Sequence, residues 1–260
     1  MPSWRGRGTG LIRPFIILLF VLLLMACTGQ SAQLDQQTPN GSSTETVAGT
    51  TRTEVIHLTT TDGIKLSGTV YKPDASDIQS NSILLLHEAY RDSQVWDQFA
   101  RAAQERGYTV LALDLRGHGQ SVGEIAYTPA LDNDVEAALS WLRSTPAVEN
   151  KQISIIGASV GASLGLRAGA RHPEIKSVVL LSPGIQLWEL GIANAISEYG
   201  NRPLLLAAEE DDRYHFSSVN QLYDPANDNH QVEIYPGGEH GTELLGSHPE
   251  LTPLLLDWIR

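Results

Sequence analysis

The chain has 260 residues, of which 42% are hydrophobic and 18% charged, a composition that excludes collagen-like, coiled-coil and wholly disordered proteins. Thirty acidic residues against 18 lysines and arginines give a net charge of −12, and a chain so acidic would be repelled by the phosphates of nucleic acid. A single cysteine, Cys27, excludes an internal disulfide and every metal site built from several cysteines.

The first 26 residues have the organisation of a signal peptide. Three arginines precede an apolar run over 15–26, which is too short to span a bilayer as a mature helix. The run ends in Leu24-Met25-Ala26-Cys27, which resembles a bacterial lipobox, although Met25 departs from its usual small residue. The alternative is a plain signal peptide or anchor with an incidental cysteine. We expect Cys27 to be acylated and to hold the protein on a membrane of the bacterial cell envelope, outside the cytoplasm.

The chain after the lipobox divides into a tether and a domain. Residues 28–52 are rich in Thr, Ser, Gln and Gly and almost lack large apolar side chains, so they cannot bury enough surface to offset the entropy of ordering. The predicted organisation is therefore a lipoprotein signal peptide at 1–26, a lipid-anchored disordered tether at 27–52, and a folded domain at 53–260.

The domain begins with a predicted β-hairpin and continues as alternating strands and helices. Residues 54–60 and 64–72 alternate in polarity around an Asp-Gly turn. Short apolar runs then predict buried strands, with helical periodicity between them. The strands are at 83–86, 108–113, 153–157, 177–181, 204–208 and 232–235, and the later helices are at 160–171, 187–199, 217–224 and 253–260. This order predicts a doubly wound α/β fold, whose active groups lie beyond the carboxyl ends of its strands.

A candidate nucleophile follows the strand at 153–157. The sequence Gly157-Ala158-Ser159-Val160-Gly161 is a G-x-S-x-G pattern between a strand and a helix, where a sharp turn exposes the serine oxygen. The alternative is a glycine-rich packing turn without chemistry. A serine nucleophile also needs a base and an orienting acid.

Both partners are present after later strands. Glu209-Glu210-Asp211-Asp212 follows the strand at 204–208, and Pro236-Gly237-Gly238-Glu239-His240 follows the strand at 232–235. The order is therefore Ser159, an acid near 211, then His240, and each group lies just past a separate strand of the sheet.

These patterns together resemble the α/β-hydrolase superfamily over residues 53–260. Leu86-His87-Glu88-Ala89 stands where the family usually has His-Gly, Asp114–Ser121 reads Asp-Leu-Arg-Gly-His-Gly-Gln-Ser, and Tyr235–Gly241 is similar to the family's catalytic-histidine loop. Glu88 in place of glycine resembles the dienelactone-hydrolase branch, where a glutamate contacts the resting nucleophile, although that branch uses cysteine. The serine-aminopeptidase-like branch is similar as well.

The resemblance implies a set of site residues. Ser159, an acid and His240 would form the triad, and the family's spacing from the small residue Ala208 gives Asp211 as the acid, with Asp212 as the alternative. Backbone amides of Val160 and Ala89 would form the oxyanion hole. Further candidates for the site are Glu88 and, as the oxyanion donor in place of Ala89, Tyr90. His87 and His118 are predicted to be structural.

The predicted function is that of a serine hydrolase acting on carboxylic esters or related small acyl substrates. Serine peptidase activity on short peptides and a non-catalytic ligand-binding role are the alternatives. No cofactor is implied, and no metal either, because His-Glu-x-x-His is missing from the sequence. Few residues separate the strand ending at 181 from the one beginning at 204, so we expect no large lid.

Overall fold

The structure is a computed structural model that describes residues 52–74, 81–145 and 152–259. The predicted signal peptide, Cys27 and nearly all of the tether lie outside these ranges, so they stay predictions. Within the described ranges, none of the helices has the length and apolar character needed to cross a bilayer.

One large sheet organises the domain. The strands in chain order are β1 (Arg52–Thr59), β2 (Lys65–Lys72), β3 (Asn81–Leu86), β4 (Thr109–Leu113), β5 (Gln152–Ala158), β6 (Ile175–Leu181), β7 (Gln186–Leu187), β8 (Leu190–Gly191), β9 (Leu204–Glu209) and β10 (His230–Tyr235). Eight of them form the sheet in the order β1-β2-β4-β3-β5-β6-β9-β10. The pairs β1–β2 and β2–β4 are antiparallel and the others are parallel, as the sequence predicts.

Helices cover both faces of the sheet. They are α1 (Asp97–Glu105), α2 (Asp132–Ser144), α3 (Val160–Arg171), α4 (Ala193–Tyr199), α5 (Arg213–Leu222), α6 (Leu244–Ser247) and α7 (Leu251–Trp258). Successive residues of β3 point to opposite faces. Leu84 and Leu86 pack in the core that includes α2 and α3, whereas Ile83 and Leu85 pack in the core that includes α1 and α7.

The connection after β6 differs from the predicted helix at 187–199. Residues 186–191 form the small antiparallel hairpin β7–β8, and the helix α4 starts only at Ala193. Trp188 in the turn has a positive φ of 47°, which a helix cannot contain. The Tyr214 hydroxyl, on α5, accepts from the N–H of Gln186 and donates to its carbonyl, so contacts from elsewhere in the fold hold the hairpin. No large lid is present in this connection.

Candidate active site

The turn between β5 and α3 places Ser159 in a strained conformation. Its φ is 50° and its ψ is −112°, in the left-handed half of the map that is unfavourable for a residue with a side chain. The Ser159 N–H donates to the Leu181 carbonyl at 2.9 Å, which ties the turn to β6. Ser159 is 4% exposed. Within the described part of the chain its hydroxyl makes no hydrogen bond, so the bond between Ser159 and His240 that a triad uses is not formed in this conformation.

The helix α3 begins against the strand β3 because two glycines leave room for it. A Cβ on Gly157 would collide with the Gly161 carbonyl, and a Cβ on Gly161 would collide with the carbonyls of Leu86 and His87. All of these obstacles are backbone atoms, which cannot move aside. The two glycines of the G-x-S-x-G pattern thus bring the Ser159 turn next to the loop after β3.

The histidine loop after β10 brings His240 to an acid. Nδ1–H of His240 donates to Oδ2 of Asp212 at 2.8 Å, so its Nε2 carries the lone pair. The prediction that Asp211 holds this ring is wrong, because β9 continues through Glu209 and the turn starts one residue later than Ala208 suggests. Asp211 is exposed, and its backbone N–H donates to the Gly237 carbonyl at 2.8 Å. The alternative residue, Asp212, is the one in contact.

Asp212 also binds a second histidine that the sequence analysis did not identify. Nδ1–H of His215 donates to Oδ1 of Asp212 at 2.7 Å. Burial would raise the pKa of Asp212, but the hydrogen bonds from His215 and His240 outweigh it and hold this pKa well below its usual range. Asp212 is therefore a carboxylate at neutral pH. The sequence predicts a helix only from 217, which leaves His215 outside it. In the structure His215 lies in the first turn of α5, three residues after Asp212.

Gly241 holds the histidine loop against the Ser159 turn. Its N–H donates to the Ser182 hydroxyl at 3.0 Å, and Ser182 lies at the end of β6, where its own N–H donates to the Ala207 carbonyl. A Cβ on Gly241, which has a φ of 62°, would lie 3.5 Å from the Cβ of Ala158. Ser159 directly follows Ala158, and His240 directly precedes Gly241. The candidate nucleophile and the candidate base thus lie on neighbouring segments.

Glu209 fixes the other end of the histidine loop. Its buried carboxylate accepts from the Glu239 N–H at 2.7 Å and from Nε2–H of His248 at 2.8 Å. Glu209 thus supports the residue immediately before His240, which is a structural task distinct from that of Asp212.

A neutral histidine supports the loop that carries the predicted oxyanion donor. Nε2 of His87 accepts from the Leu115 N–H at 3.1 Å, and its Nδ1–H donates to the Glu88 carbonyl at 2.7 Å. Burial lowers the pKa of His87 to about 4, so the ring is uncharged at neutral pH. The predicted structural role of His87 agrees with these contacts.

The backbone amides near Ser159 differ in availability. The N–H of Tyr90 donates to the Tyr127 hydroxyl at 3.0 Å, which removes it as a free donor. No hydrogen bond of the Ala89 N–H occurs in the described residues, and Val160 begins α3, where N–H groups lack acceptors in the helix. Ala89 and Val160 thus remain the two candidate donors.

Glu88 lies beside the site without contacting Ser159. Its Oε1 accepts from the Thr242 hydroxyl at 2.7 Å, whereas its Oε2 is buried and has no hydrogen-bond partner. Gly241 packs on this side chain: a Cβ there would be 3.3 Å from Cδ of Glu88. Glu88 therefore bonds to the segment after His240, and the glutamate–nucleophile contact of the dienelactone-hydrolase branch is not formed here.

Exposed aromatic rings surround the loop after β3. Tyr90 is 72% exposed and Trp188 51% exposed, and both have a positive φ. Between them lies the buried ring of Tyr127, 5.6 Å from Tyr90 and 4.2 Å from Trp188. Tyr90 follows Ala89 directly, so these rings form an aromatic rim beside the loop that carries the predicted oxyanion donor.

Three of the site residues could in principle hold a metal ion. One ligand atom each from Asp212, His215 and His240 lies within 4.8 Å of the others. However, each oxygen of the Asp212 carboxylate already accepts an N–H from one of the two imidazoles, so hydrogen bonds alone satisfy this carboxylate. The expectation of a metal-free site stays a prediction.

Part of the chain is similar to a known hydrolase family. Residues 78–202 match the model of a hydrolase family described as serine aminopeptidase, S33, a segment that includes the Ser159 turn and ends before Asp212. An uncharacterised protein of Mycobacterium tuberculosis is 30% identical over 132 residues, which are 51% of this chain and 46% of the relative. The chain spans about half the length of the curated relatives it matches.

Solved structures extend the likeness to the whole domain. An esterase of Pyrococcus furiosus superimposes with a TM-score of 0.67 at 22% identity, over 80% of this chain and 92% of that one. A dienelactone hydrolase of Anabaena variabilis gives a TM-score of 0.66 at 18% identity, over 81% of this chain and 97% of that one. The chain has the α/β-hydrolase fold, as the sequence predicts.

Proposed function

We propose that the protein is a serine hydrolase that cleaves carboxylic esters or related small acyl compounds through an acyl-enzyme intermediate. One observation carries the proposal: the strained Ser159 turn lies against a loop whose His240 is bonded to the ionised Asp212. A serine, a histidine and a carboxylate are the components of a catalytic triad, and in this proposal the hydrogen bond between Ser159 and His240 forms when the substrate binds.

The first half of the reaction forms the acyl-enzyme. Nε2 of His240 takes the proton of the Ser159 hydroxyl while Oγ attacks the carbonyl carbon of the substrate. The electron pair of the C=O bond moves to its oxygen, which the N–H groups of Ala89 and Val160 then hold. Each such donor lowers the barrier by about 3–4 kcal/mol. Asp212 stabilises the imidazolium of His240 during this step.

The second half releases the products. The tetrahedral intermediate breaks the bond to the alcohol, which takes the proton from His240 as it leaves. Water then attacks the acyl-enzyme with His240 as base, and the acid departs as Ser159 regains its proton. These steps balance without a cofactor.

Covalent labelling tests the proposal directly. A fluorophosphonate should label the wild-type protein and leave Ser159→Ala unlabelled, and turnover of p-nitrophenyl acetate should fall about 10⁴–10⁶-fold in that variant. The Ser163→Ala variant is a matched control, because Ser163 lies on the same helix but is buried, and should be labelled normally. A folded wild-type protein that resists labelling would instead favour the non-catalytic binding role.

Peptidase activity is the second candidate, because the matching family model is that of serine aminopeptidases. The same acyl-enzyme chemistry applies, with an amine as the leaving group. Comparing p-nitrophenyl esters, thioesters and aminoacyl p-nitroanilides at equal concentration decides between the two. We expect ester turnover to exceed anilide turnover, and the reverse ranking would assign the protein to the peptidases.

The lipobox-like sequence supports a proposal for location. We infer that Cys27 is acylated and tethers the hydrolase to a membrane outside a bacterial cytoplasm. The variant Cys27→Ser should leave the membrane fraction or accumulate as the precursor, and globomycin should block processing of the wild type. Unchanged processing in both experiments would contradict the anchor.

A further inference from the structure

The carboxylate of Asp212 is shared by two imidazoles. His215 donates to Oδ1 at 2.7 Å and His240 donates to Oδ2 at 2.8 Å. Asp212 stands at the N-terminus of α5, yet its side chain caps no helical N–H, so both oxygens are committed to histidines. A triad needs only one of these bonds, and the other calls for an explanation.

Exposure distinguishes the two rings. The His240 side chain is 34% exposed, whereas that of His215 is 15% exposed. Nε2 of His215 is buried and has no hydrogen-bond partner. Nδ1 of His215 is bonded to Asp212, so neither ring nitrogen of His215 is open to a substrate. His240, the more exposed ring, is therefore the base.

Neighbouring rings hold the imidazole of His215 in place. Its ring centroid lies 4.3 Å from that of His240 and 5.0 Å from that of Tyr214. Packing against these two rings fixes the direction in which His215 donates to Asp212.

We propose that His215 is a positioning residue of the hydrolase: as a second donor to Asp212 it fixes the orientation of that carboxylate. The inference rests on the proposed function. A carboxylate held at both oxygens cannot rotate away from His240 during turnover, so it stays aligned with the Nδ1–H of His240.

Removing the donor should therefore change the kinetics in a defined way. In His215→Phe the ring stays but the N–H is lost. We expect kcat to fall about tenfold to a hundredfold, the range for a lost hydrogen bond to a charged group, with KM little changed.

Three variants make the test specific. In His215→Asn the side-chain amide can donate from near the position of Nδ1, so kcat should return most of the way to wild type, a rescue that a merely structural role would not give. His172→Phe is the matched control, because His172 also bonds a carboxylate, that of Glu136 at 2.8 Å, away from the site. It should leave both kcat and KM unchanged. Should His215→Phe not fold, as judged by circular dichroism, His215→Leu takes its place.

The outcomes separate this inference from the function it rests on. If fluorophosphonate labels the wild type but His215→Phe keeps its kcat, the positioning role is wrong while the hydrolase stands. If the wild type is not labelled, the function itself fails. If a chelator abolishes turnover and one zinc ion per chain restores it, His215 is a metal ligand and the inference is overturned.

Discussion

At the scale of the residue, turnover depends on which carboxylate faces His240. Asp212 accepts its Nδ1–H, whereas Asp211 is exposed. In Asp212→Asn an amide faces Nδ1 and favours the unproductive tautomer of the imidazole, so we expect kcat to fall about 10⁴-fold. Asp211→Asn, the neighbouring control, should remain close to wild type. Steady-state kinetics on p-nitrophenyl acetate measure both, and a larger loss in Asp211→Asn would contradict the contact seen in the structure.

The sequence identified the acidic segment but not the residue within it. Counting from Ala208 assumes that the strand ends there, yet Glu209 continues β9 with a buried carboxylate that holds the histidine loop. The choice between two adjacent aspartates depends on that tertiary contact, which no local pattern encodes. The role of His215 was missed for a related reason, since a helix boundary is the least certain part of a prediction from sequence.

The buried His87 makes a prediction about stability and pH. Burial lowers its pKa from 6.5 to about 4, so the folded state favours the neutral ring. The unfolded chain binds a proton at His87 more readily than the folded protein does. The contribution of the neutral ring to the free energy of unfolding is therefore complete above pH 6.5 and declines as the pH falls toward 4. The decline amounts to roughly 3 kcal/mol.

Thermal unfolding between pH 7.5 and 4 measures this effect. In His87→Gln we expect a lower Tm at pH 7.5, because the bonds to Leu115 and Glu88 are disturbed, but a flatter dependence of Tm on pH. His57→Gln, at an exposed position on β1, is the control and should follow the wild type. If the Tm of His87→Gln depends on pH as steeply as that of the wild type, a group other than His87 causes the pH dependence.

At the scale of the element, the strand–turn–helix unit depends on close backbone packing. A Cβ on Gly161 would collide with the carbonyls of Leu86 and His87 on the neighbouring strand and loop. In Gly161→Ala we expect a lower Tm by several degrees and a large loss of kcat, because α3 must move and displace Ser159. Gly246→Ala, where a Cβ meets no atom within 4 Å, is the control and should match the wild type in both measurements.

The elements themselves differ in how far the sequence determines them. The helix predicted at 160–171 is confirmed as α3, because its small residues and flanking strand define both of its ends. The helix predicted at 187–199 is wrong over its first half. There, the hairpin β7–β8 is held by the Tyr214 hydroxyl and by the packing of Trp188 on Tyr127. These contacts with residues distant in sequence outweigh the helical spacing of the local apolar residues.

At the scale of the molecule, the sheet order places the three site segments next to one another. The strands β5, β6, β9 and β10 are consecutive neighbours, and Ser159, Asp212 and His240 follow the first, third and fourth of them. The sequence could predict this convergence because parallel strands end at the same edge of the sheet. It could not predict the hydrogen bonds through Ser182 and Glu209 that hold the histidine loop in place.

The absence of a large lid sets an expectation for substrate size. Between β6 and β9 the chain forms only the hairpin β7–β8 and the short helix α4, which can make one wall of a cleft but cannot cover a long acyl chain. Each methylene group that stays in water forgoes about 0.8 kcal/mol of binding. Beyond the aromatic rim of Tyr90, Tyr127 and Trp188, added acyl carbons thus contribute little.

We therefore expect kcat/KM for p-nitrophenyl esters to be highest for short acyl chains and to decline with longer ones. Rates on monomeric substrate from acetate to palmitate measure this, with each ester kept below its critical micelle concentration so that aggregation does not imitate a size limit. The variant Trp188→Ala removes apolar surface from the rim and should lower kcat/KM for butyrate more than for acetate, since the longer acyl chain has more apolar surface to bury. A maximum at palmitate, or strong activation at a lipid interface, would show that the chain encloses an acyl tunnel after all.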